Sequence, residues 1–346
     1  MAITGQQKRM LALGAIGAGL VVAAQMWRRR DPYEFAGRSI VITGGSRGLG
    51  LVMARQLAAE GARLTLVARD EQELHRAVDD LQTREPFVEL LVAQADIRAR
   101  YQAERAIAMA VERFGNVDVL INNAGIIQVG PVDHITLADY EDAMLTHFWG
   151  PLYMMTAAIP HMRRAGAGRI VNISSIGGKI AVPHLVPYSA SKFALAGLSE
   201  GLHAELAKYN IAVTTVYPGL MRTGSAVNAM FKGQRPQEYA WFAISDSLPL
   251  ASISPERAAR QIIRACRYGE AELIITAQAK MAVLARIAAP ELFLDTMALV
   301  NRLLPGPSSS DGDEAKPGRE SESDMARPQQ PLTAPMYRAA EKNNEM

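Results

Sequence analysis

Seven short apolar runs, separated by segments with helical patterning, fix the kind of fold open to this chain. The runs are Ser39 to Thr43, Arg63 to Ala68, Val88 to Ala93, Val117 to Ile121, Arg169 to Ile173, Ile211 to Tyr217 and Glu272 to Thr276. They are apolar throughout rather than alternating, as strands buried on both faces are. Parallel neighbours need long crossovers, and the intervening segments supply them as helices. These run from about Leu49 to Glu60, on to Thr83, and from Arg98 to Phe114. Others run from Thr136 to the Gly150-Pro151 pair, on to Arg164, onward from Pro187, and from the Ser254 cap to Arg267. The fold class is α/β, a doubly wound seven-stranded parallel sheet with helices on both faces.

The sequence flanking residues 37–277 has a different character. Met10 to Trp27 is apolar apart from Gln25, between Lys8-Arg9 and Arg28-Arg29-Arg30. As a helix it would reach about 27 Å, near the roughly 30 Å of a hydrocarbon core. The Arg triplet argues against a cleaved secretory signal. A buried core helix would leave the flanking charges unexplained. Residues 1–30 are therefore expected to be an N-terminal membrane anchor, spanning at about 10–27. The excess of positive charge after the run puts the body on the cytoplasmic side.

Residues 278–304 are expected to form amphipathic helices. From Pro290 on, Glu291, Asp295 and Arg302 share one stripe and apolar residues cover the rest. Such a face must be buried on the domain, a second subunit or the membrane surface. Residues 305–346, rich in Pro, Ser and charge, are expected to be a disordered tail. A net charge of +2, with no Lys/Arg stripe, gives no footing for nucleic acid. Cys266 is the only cysteine, so no intrachain disulfide can form, which suits a reducing compartment. The six histidines lack ligand spacing, and no metal is expected.

The segment Gly44-Gly-Ser46-Arg47-Gly48-Leu49-Gly50 follows the first strand and opens a helix. Small residues there let backbone approach a pyrophosphate, and the helix start offers free N–H groups and positive dipole. The second strand ends in Ala68-Arg69, where a carboxylate would accept bonds from an adenosine 2′-hydroxyl. Arg47 and Arg69 instead suit a 2′-phosphate, which makes NADP(H) the expected cofactor. The alternative is two solvated surface arginines.

Tyr188 and Lys192 are four apart at a helix start, so they share a face. A phenol beside an ammonium has its anion stabilised and can give or take a proton near neutrality. Taken alone, the pair also reads as an ordinary surface tyrosine and lysine.

With Thr43-Gly44-xxx-Gly48-x-Gly50, Asn122-Asn123-Ala124-Gly125, Ser175, Tyr188-xxx-Lys192 and Pro218-Gly219 in that order, the chain resembles the short-chain dehydrogenase/reductase family. The resemblance covers about Gly37 to Thr276 and implies a Rossmann-type sheet. It also implies that Tyr188 is the general acid or base, that Lys192 tunes it and holds the nicotinamide ribose, and that Ser175 bonds the substrate oxygen. Ser174 is the rival for that role, but Ser175 has the family's interval of thirteen residues to Tyr188. Asp96 and Ile97 would flank the adenine. Asn123, Ala124 and Gly125 would line the cofactor's middle, and Pro218, Gly219 and Thr223 would hold the nicotinamide end. One position departs from the family. His147 stands where an asparagine usually holds a relay water, and it is expected to hold that water or carry the proton itself. A packed histidine of neutral role and an impaired relay are the alternatives.

Residues 225–253 would form the family's substrate lid. Met230, Phe231, Tyr239, Trp241, Phe242, Leu248 and Leu250 make it apolar, with Lys232 and Arg235 among them. A lipophilic carbonyl or alcohol is the expected small-molecule partner, with the membrane as a second partner and a homo-oligomer open. Aromatics that merely pack the lid down are the plainer reading. A nucleotide-binding scaffold or sensor with the same fold is the competing function.

Overall fold

The computed structural model describes residues 32–247, 252–308, 312–323 and 330–346. The apolar run at 10–27 lies outside them. Among the described residues, no helix is long and apolar enough to cross a membrane.

The central sheet has seven parallel strands in the order β3-β2-β1-β4-β6-β7-β9. They are β1 (Ser39–Thr43), β2 (Arg63–Ala68), β3 (Leu90–Gln94), β4 (Val119–Asn122), β6 (Gly168–Ile173), β7 (Ile211–Tyr217) and β9 (Glu272–Ile274). Successive side chains point to opposite faces of a strand, so each strand feeds two cores. Along β1, Ile40 and Ile42 enter one layer and Val41 the other. The first layer receives the helices Gly48–Ala59, Glu71–Arg84 and Pro255–Tyr268. The second receives Arg100–Phe114 and Gly150–Ala165. The order reverses at β1 and β4, and their carboxyl ends open a crevice where α/β folds bind ligands.

Strand ends differ from the sequence reading by a residue or two. The last strand stops at Ile274, not at Thr276, because Thr276 takes φ +80° and caps the next helix through the Ala279 N–H. A break was expected before Gly150-Pro151. The chain instead passes from Leu137–Met144 through a π-helical turn, Leu145–Trp149, into Gly150–Ala165. Pro151 has no N–H for the carbonyl of His147, and the ladder widens there, with Gly150 N–H reaching back to Leu145 O.

A small second sheet, β10-β8-β5, lies over the carboxyl end. It joins β5 (Gln128–Val129), β8 (Met230–Phe231) and β10 (Lys316–Pro317). Within the lid region, Ser225–Asn228 and Arg235–Ser247 are helical. Lys232 at the end of β8 makes a 2.6 Å ion pair with Asp139, and both side chains are buried.

Of the expectations about the C-terminal part, one is narrowed and one needs correction. Residues 278–304 do form two helices, Ala277–Ala288 and Pro290–Asn301. Among the described residues, however, their apolar face is open: Leu292, Leu299 and Leu303 are 68%, 58% and 82% exposed. The segment 305–346 is also not simply a disordered tail. It contributes β10, the Gly318–Ser323 helix and the Gln330–Lys342 helix. Met336 and Ala340, four apart on the last helix, are fully buried, and Met336 joins the lid core with Phe231, Tyr239 and Phe242. Composition averaged over forty residues conceals so short an apolar stripe.

Candidate active site and cofactor cleft

At the carboxyl end of β1 the chain makes a turn that only small residues allow. Gly44 and Gly48 take φ +63° and +54°. A Cβ on Gly50 would fall 1.9 Å from the carbonyl oxygen of Gly44, so the helix start lies directly against the turn. The loop after β4 locks this arrangement. Asn123 donates its side-chain amide to the carbonyls of Thr43 and Gly44, at 3.1 Å each. Thr43 Oγ1 in turn accepts the backbone N–H groups of Asn123 and Ala124.

A cleft of about 830 Å³ runs outward from this turn. Its walls include Gly44, Ser46, Arg47, Gly48, Leu49 and Arg69 near β1 and β2. Asp96, Ile97, Asn123, Ala124 and Gly125 continue them, and His147 and Tyr188 stand at the far side. Gly50 sits beneath the turn. Pro218, Gly219 and Thr223 are held behind the wall, where Pro218 O accepts the Ile176 N–H at 2.8 Å and Thr223 is buried. The volume of the cleft and the helix start at one end fit a dinucleotide.

The charges on the walls are mostly spoken for within the protein. Arg47 donates to Glu73 Oε1 at 2.9 Å and to Asn228 Oδ1 at 3.0 Å, and Ser46 Oγ donates to Glu73 Oε2. Asp70, next to Arg69, caps its helix by accepting the Glu73 N–H. Arg69 is exposed at the cleft rim. Burial pushes the Asp96 carboxyl up, but bonds from Arg98 outweigh it and hold the group below its usual range.

Ser174 and Ser175 separate cleanly. Ser174 is buried and donates to the carbonyl of Lys192 at 2.9 Å, tying β6 to the Val186–Leu206 helix. Ser175 stands on extended backbone, and its Oγ accepts the Gly177 N–H at 3.0 Å. A Cβ on Gly177 would lie 3.1 Å from the Tyr188 ring and 3.4 Å from Ser175 Oγ, so this glycine sits between the two. Lys192 is buried, 5.6 Å from the centre of the Tyr188 ring, and donates to Ile173 O at 3.0 Å. Burial pushes its ammonium down to about 7.

His147 sits in the π-turn, almost wholly buried, with its ring edge-on to Tyr188 at 5.4 Å. Its Nε2 accepts the Ile126 N–H at 3.1 Å, and its Nδ1 lies 2.7 Å from Ser191 Oγ. The Ser191 hydroxyl spends its proton on the carbonyl of Tyr188. Nδ1 must therefore carry the hydrogen that reaches Ser191, which fixes one neutral tautomer. Burial, and then the charge of Lys192, hold the imidazole well below its ordinary range. Both ring nitrogens are thus engaged by protein groups.

The site also holds Ser191 and Glu345, which no sequence motif marks. Ser191, three residues after Tyr188, was open to the same helical-spacing argument as Lys192. Glu345 lines the cleft at the glycine turn and had no such signal, because its place depends on the path of the C-terminal segment. The lid aromatics mostly do not face the cleft. Phe231, Tyr239 and Phe242 are buried in their own cluster, while Ile126, Ile127 and Met230 supply apolar wall.

Residues 38–232 match the family described as short chain dehydrogenase. The SadH protein of Mycobacterium tuberculosis is 37% identical over 263 residues, which is 73% of this chain and 92% of that protein. Among solved structures, a short-chain dehydrogenase from Streptomyces avermitilis is 29% identical with a TM-score of 0.66, over 77% of this chain and 97% of the other. L-sorbose reductase from Gluconobacter frateurii, solved with NADPH and L-sorbose, is 25% identical with a TM-score of 0.63, over 70% and 97%.

Proposed function

The chain belongs to the short-chain dehydrogenase family, and from that premise we propose that it is an NADP(H)-dependent oxidoreductase acting on a carbonyl or secondary alcohol of a lipophilic small molecule. The observation that carries the reading is the meeting of Ser175, Tyr188 and Lys192 beside a dinucleotide-sized cleft, with Gly177 keeping the space between serine and phenol clear. A nicotinamide cofactor bound in that cleft supplies or accepts the hydride.

Each side chain then has one task. Ser175 Oγ donates to the substrate oxygen and holds it toward Tyr188. The Tyr188 hydroxyl gives its proton to that oxygen in reduction and takes it back in oxidation. Lys192 stabilises the phenolate and reaches the cofactor ribose. His147 is a positioning residue: with both nitrogens occupied, it braces the Tyr188 ring and, through Ser191, the Tyr188 carbonyl. The expectation that it carries the proton or holds the relay water gives way to this role.

The case for NADP(H) rests on Arg69 at the cleft rim, directly after β2, while Asp70 beside it spends one carboxylate oxygen on the Glu73 N–H. Arg47 would have to leave Glu73 to meet a 2′-phosphate. The solved L-sorbose reductase contained NADPH, which points the same way. Ile126, Ile127 and Met230 favour a lipophilic substrate, and the run at 10–27 would hold the catalytic domain on the cytoplasmic side of a membrane, where such compounds partition.

The test is turnover of a panel of lipophilic ketones and alcohols by the full chain in detergent, with each nicotinamide dinucleotide. NADPH-linked turnover that Tyr188→Phe reduces by at least about a hundredfold is expected. Turnover surviving Tyr188→Phe would refute the mechanism, and a preference for NADH would refute the assignment of Arg69.

A further inference from the structure

The C-terminal segment ends inside the cofactor cleft. Its helix, Gln330–Lys342, is fixed by the buried Met336 and by a 2.8 Å bond between the Tyr337 and Tyr239 hydroxyls. Beyond Lys342 the chain turns and lays Asn343, Asn344 and Glu345 along the glycine turn. The carbonyl of Asn343 accepts the Gly48 N–H at 2.9 Å. Asn344 donates to the carbonyls of Ser46 and Glu73, at 2.8 and 3.0 Å. Glu345, 9% exposed, accepts the Gly224 N–H through Oε2 at 2.7 Å, and its backbone carbonyl accepts from Asn228. Its Oε1 lies 2.9 Å from where a Cβ on Gly48 would be.

Gly48 opens the first helix of the sheet, so its N–H is one of the free donors that an anion at this turn would use. A carbonyl oxygen occupies that donor, and a buried carboxylate spans from the turn to Gly224 on the opposite wall. The chain thus presents acceptor oxygens and one negative charge where a pyrophosphate would bring its own. The two cannot share the cradle, because like charges repel and each backbone N–H serves one acceptor well.

The geometry points to self-inhibition: residues 343–346 compete with the dinucleotide for the glycine turn, and the cofactor binds only after they leave. The inference rests on the functional reading above. Two features make the segment releasable. Its contacts with the cradle are hydrogen bonds that water can replace, whereas the helix before it is held by apolar burial. Its outer side is held by Arg55, which donates to Asn343 Oδ1 and Lys342 O, and by Arg76, which donates to Asn344 Oδ1. Both arginines stand outside the cleft walls, so a competing anion or partner could draw them off.

An occupied cradle lowers apparent affinity by the fraction of molecules in the open state. Deleting residues 343–346 from the full chain should therefore tighten NADPH binding, followed by quenching of protein fluorescence, by about tenfold or more. Arg76→Ala, which leaves the cradle and the apolar core intact, should tighten it in the same direction by a smaller factor. In the unaltered chain, NADPH should speed hydrogen exchange at residues 343–346. An unchanged or weaker dissociation constant in both variants would overturn the inference, as would slower exchange at 343–346 on adding cofactor. Failure of every form to bind NADPH and NADH would instead sink the cofactor reading, and this inference with it.

Discussion

Lys192 makes a quantitative demand on the stability of the protein. The ammonium is buried, its one hydrogen bond among the described residues is to the carbonyl of Ile173, and burial takes it from its ordinary 10.5 to about 7. Between those values the unfolded chain holds a proton that the folded one has lost, so the contribution of this lysine to native stability rises with pH across that window. The gap is about 3.5 units at about 1.4 kcal/mol each, so below pH 7 the buried lysine costs the fold about 4–5 kcal/mol. Lys192→Met keeps the stem and removes the charge. It also leaves the Ile173 carbonyl without its donor, which costs about 1–3 kcal/mol.

The two effects have different pH dependences, and the sign of the net effect follows. Near pH 7 the variant should be more stable than the parent by about 1–4 kcal/mol. As pH rises toward 10.5, the ordinary value for this lysine, the advantage should shrink and then reverse, leaving only the lost bond. The assay is urea unfolding of the cofactor-free full chain in detergent, for parent and variant, at steps from about pH 6 to about pH 10. A stability difference that stays flat with pH would refute the reasoning, because it would mean that Lys192 keeps an ordinary ammonium in the folded state. The same variant should lose turnover, so the lysine would be retained against its own cost to the fold.

Two further outcomes follow from buried contacts. Lys232→Met should destabilise the fold by about 3–5 kcal/mol, because it strands the buried Asp139 carboxylate that now meets Lys232 at 2.6 Å; an unfolding midpoint within error of the parent's would show that the pair is solvated. His147→Asn should lower kcat and the unfolding temperature while leaving the shape of the pH profile intact, since an imidazole held neutral has no inflection to lose; disappearance of a limb of the profile would make the histidine a proton carrier after all.

The parts of this protein that were legible in the sequence are those set by apolar periodicity and by short local motifs. Ile40, Val41 and Ile42 are apolar in succession because β1 is buried on both faces, and that pattern shows without coordinates. The glycines at 44, 48 and 50 announce a tight turn because no other residue type fits it. What stayed hidden depends on partners far apart in the chain. The ring of His147 is held by an N–H at Ile126 and a hydroxyl at Ser191, and neither contact follows from the local string Thr146-His147-Phe148. The lid aromatics are an apolar set in either reading. Partners as distant as Val129, Leu185 and Met336 give Phe231, Tyr239 and Phe242 a core to enter.

The C-terminal segment shows why composition misled most where function is concentrated. A stretch rich in Pro, Ser and charge lacks the apolar area to order itself. Its described pieces are ordered because each borrows a surface from the folded domain. Lys316-Pro317 adds an antiparallel strand to β8, Met336 fills the lid core, and Asn343 and Glu345 satisfy N–H groups at Gly48 and Gly224. On the proposed reading the last of these borrowed surfaces is the one a dinucleotide needs, and the hydrogen bonds that secure it are the contacts a charged ligand replaces most readily. The anchoring helix then keeps a displaced end close to the cleft, so its return after cofactor release is an intramolecular step governed by effective concentration and not by diffusion.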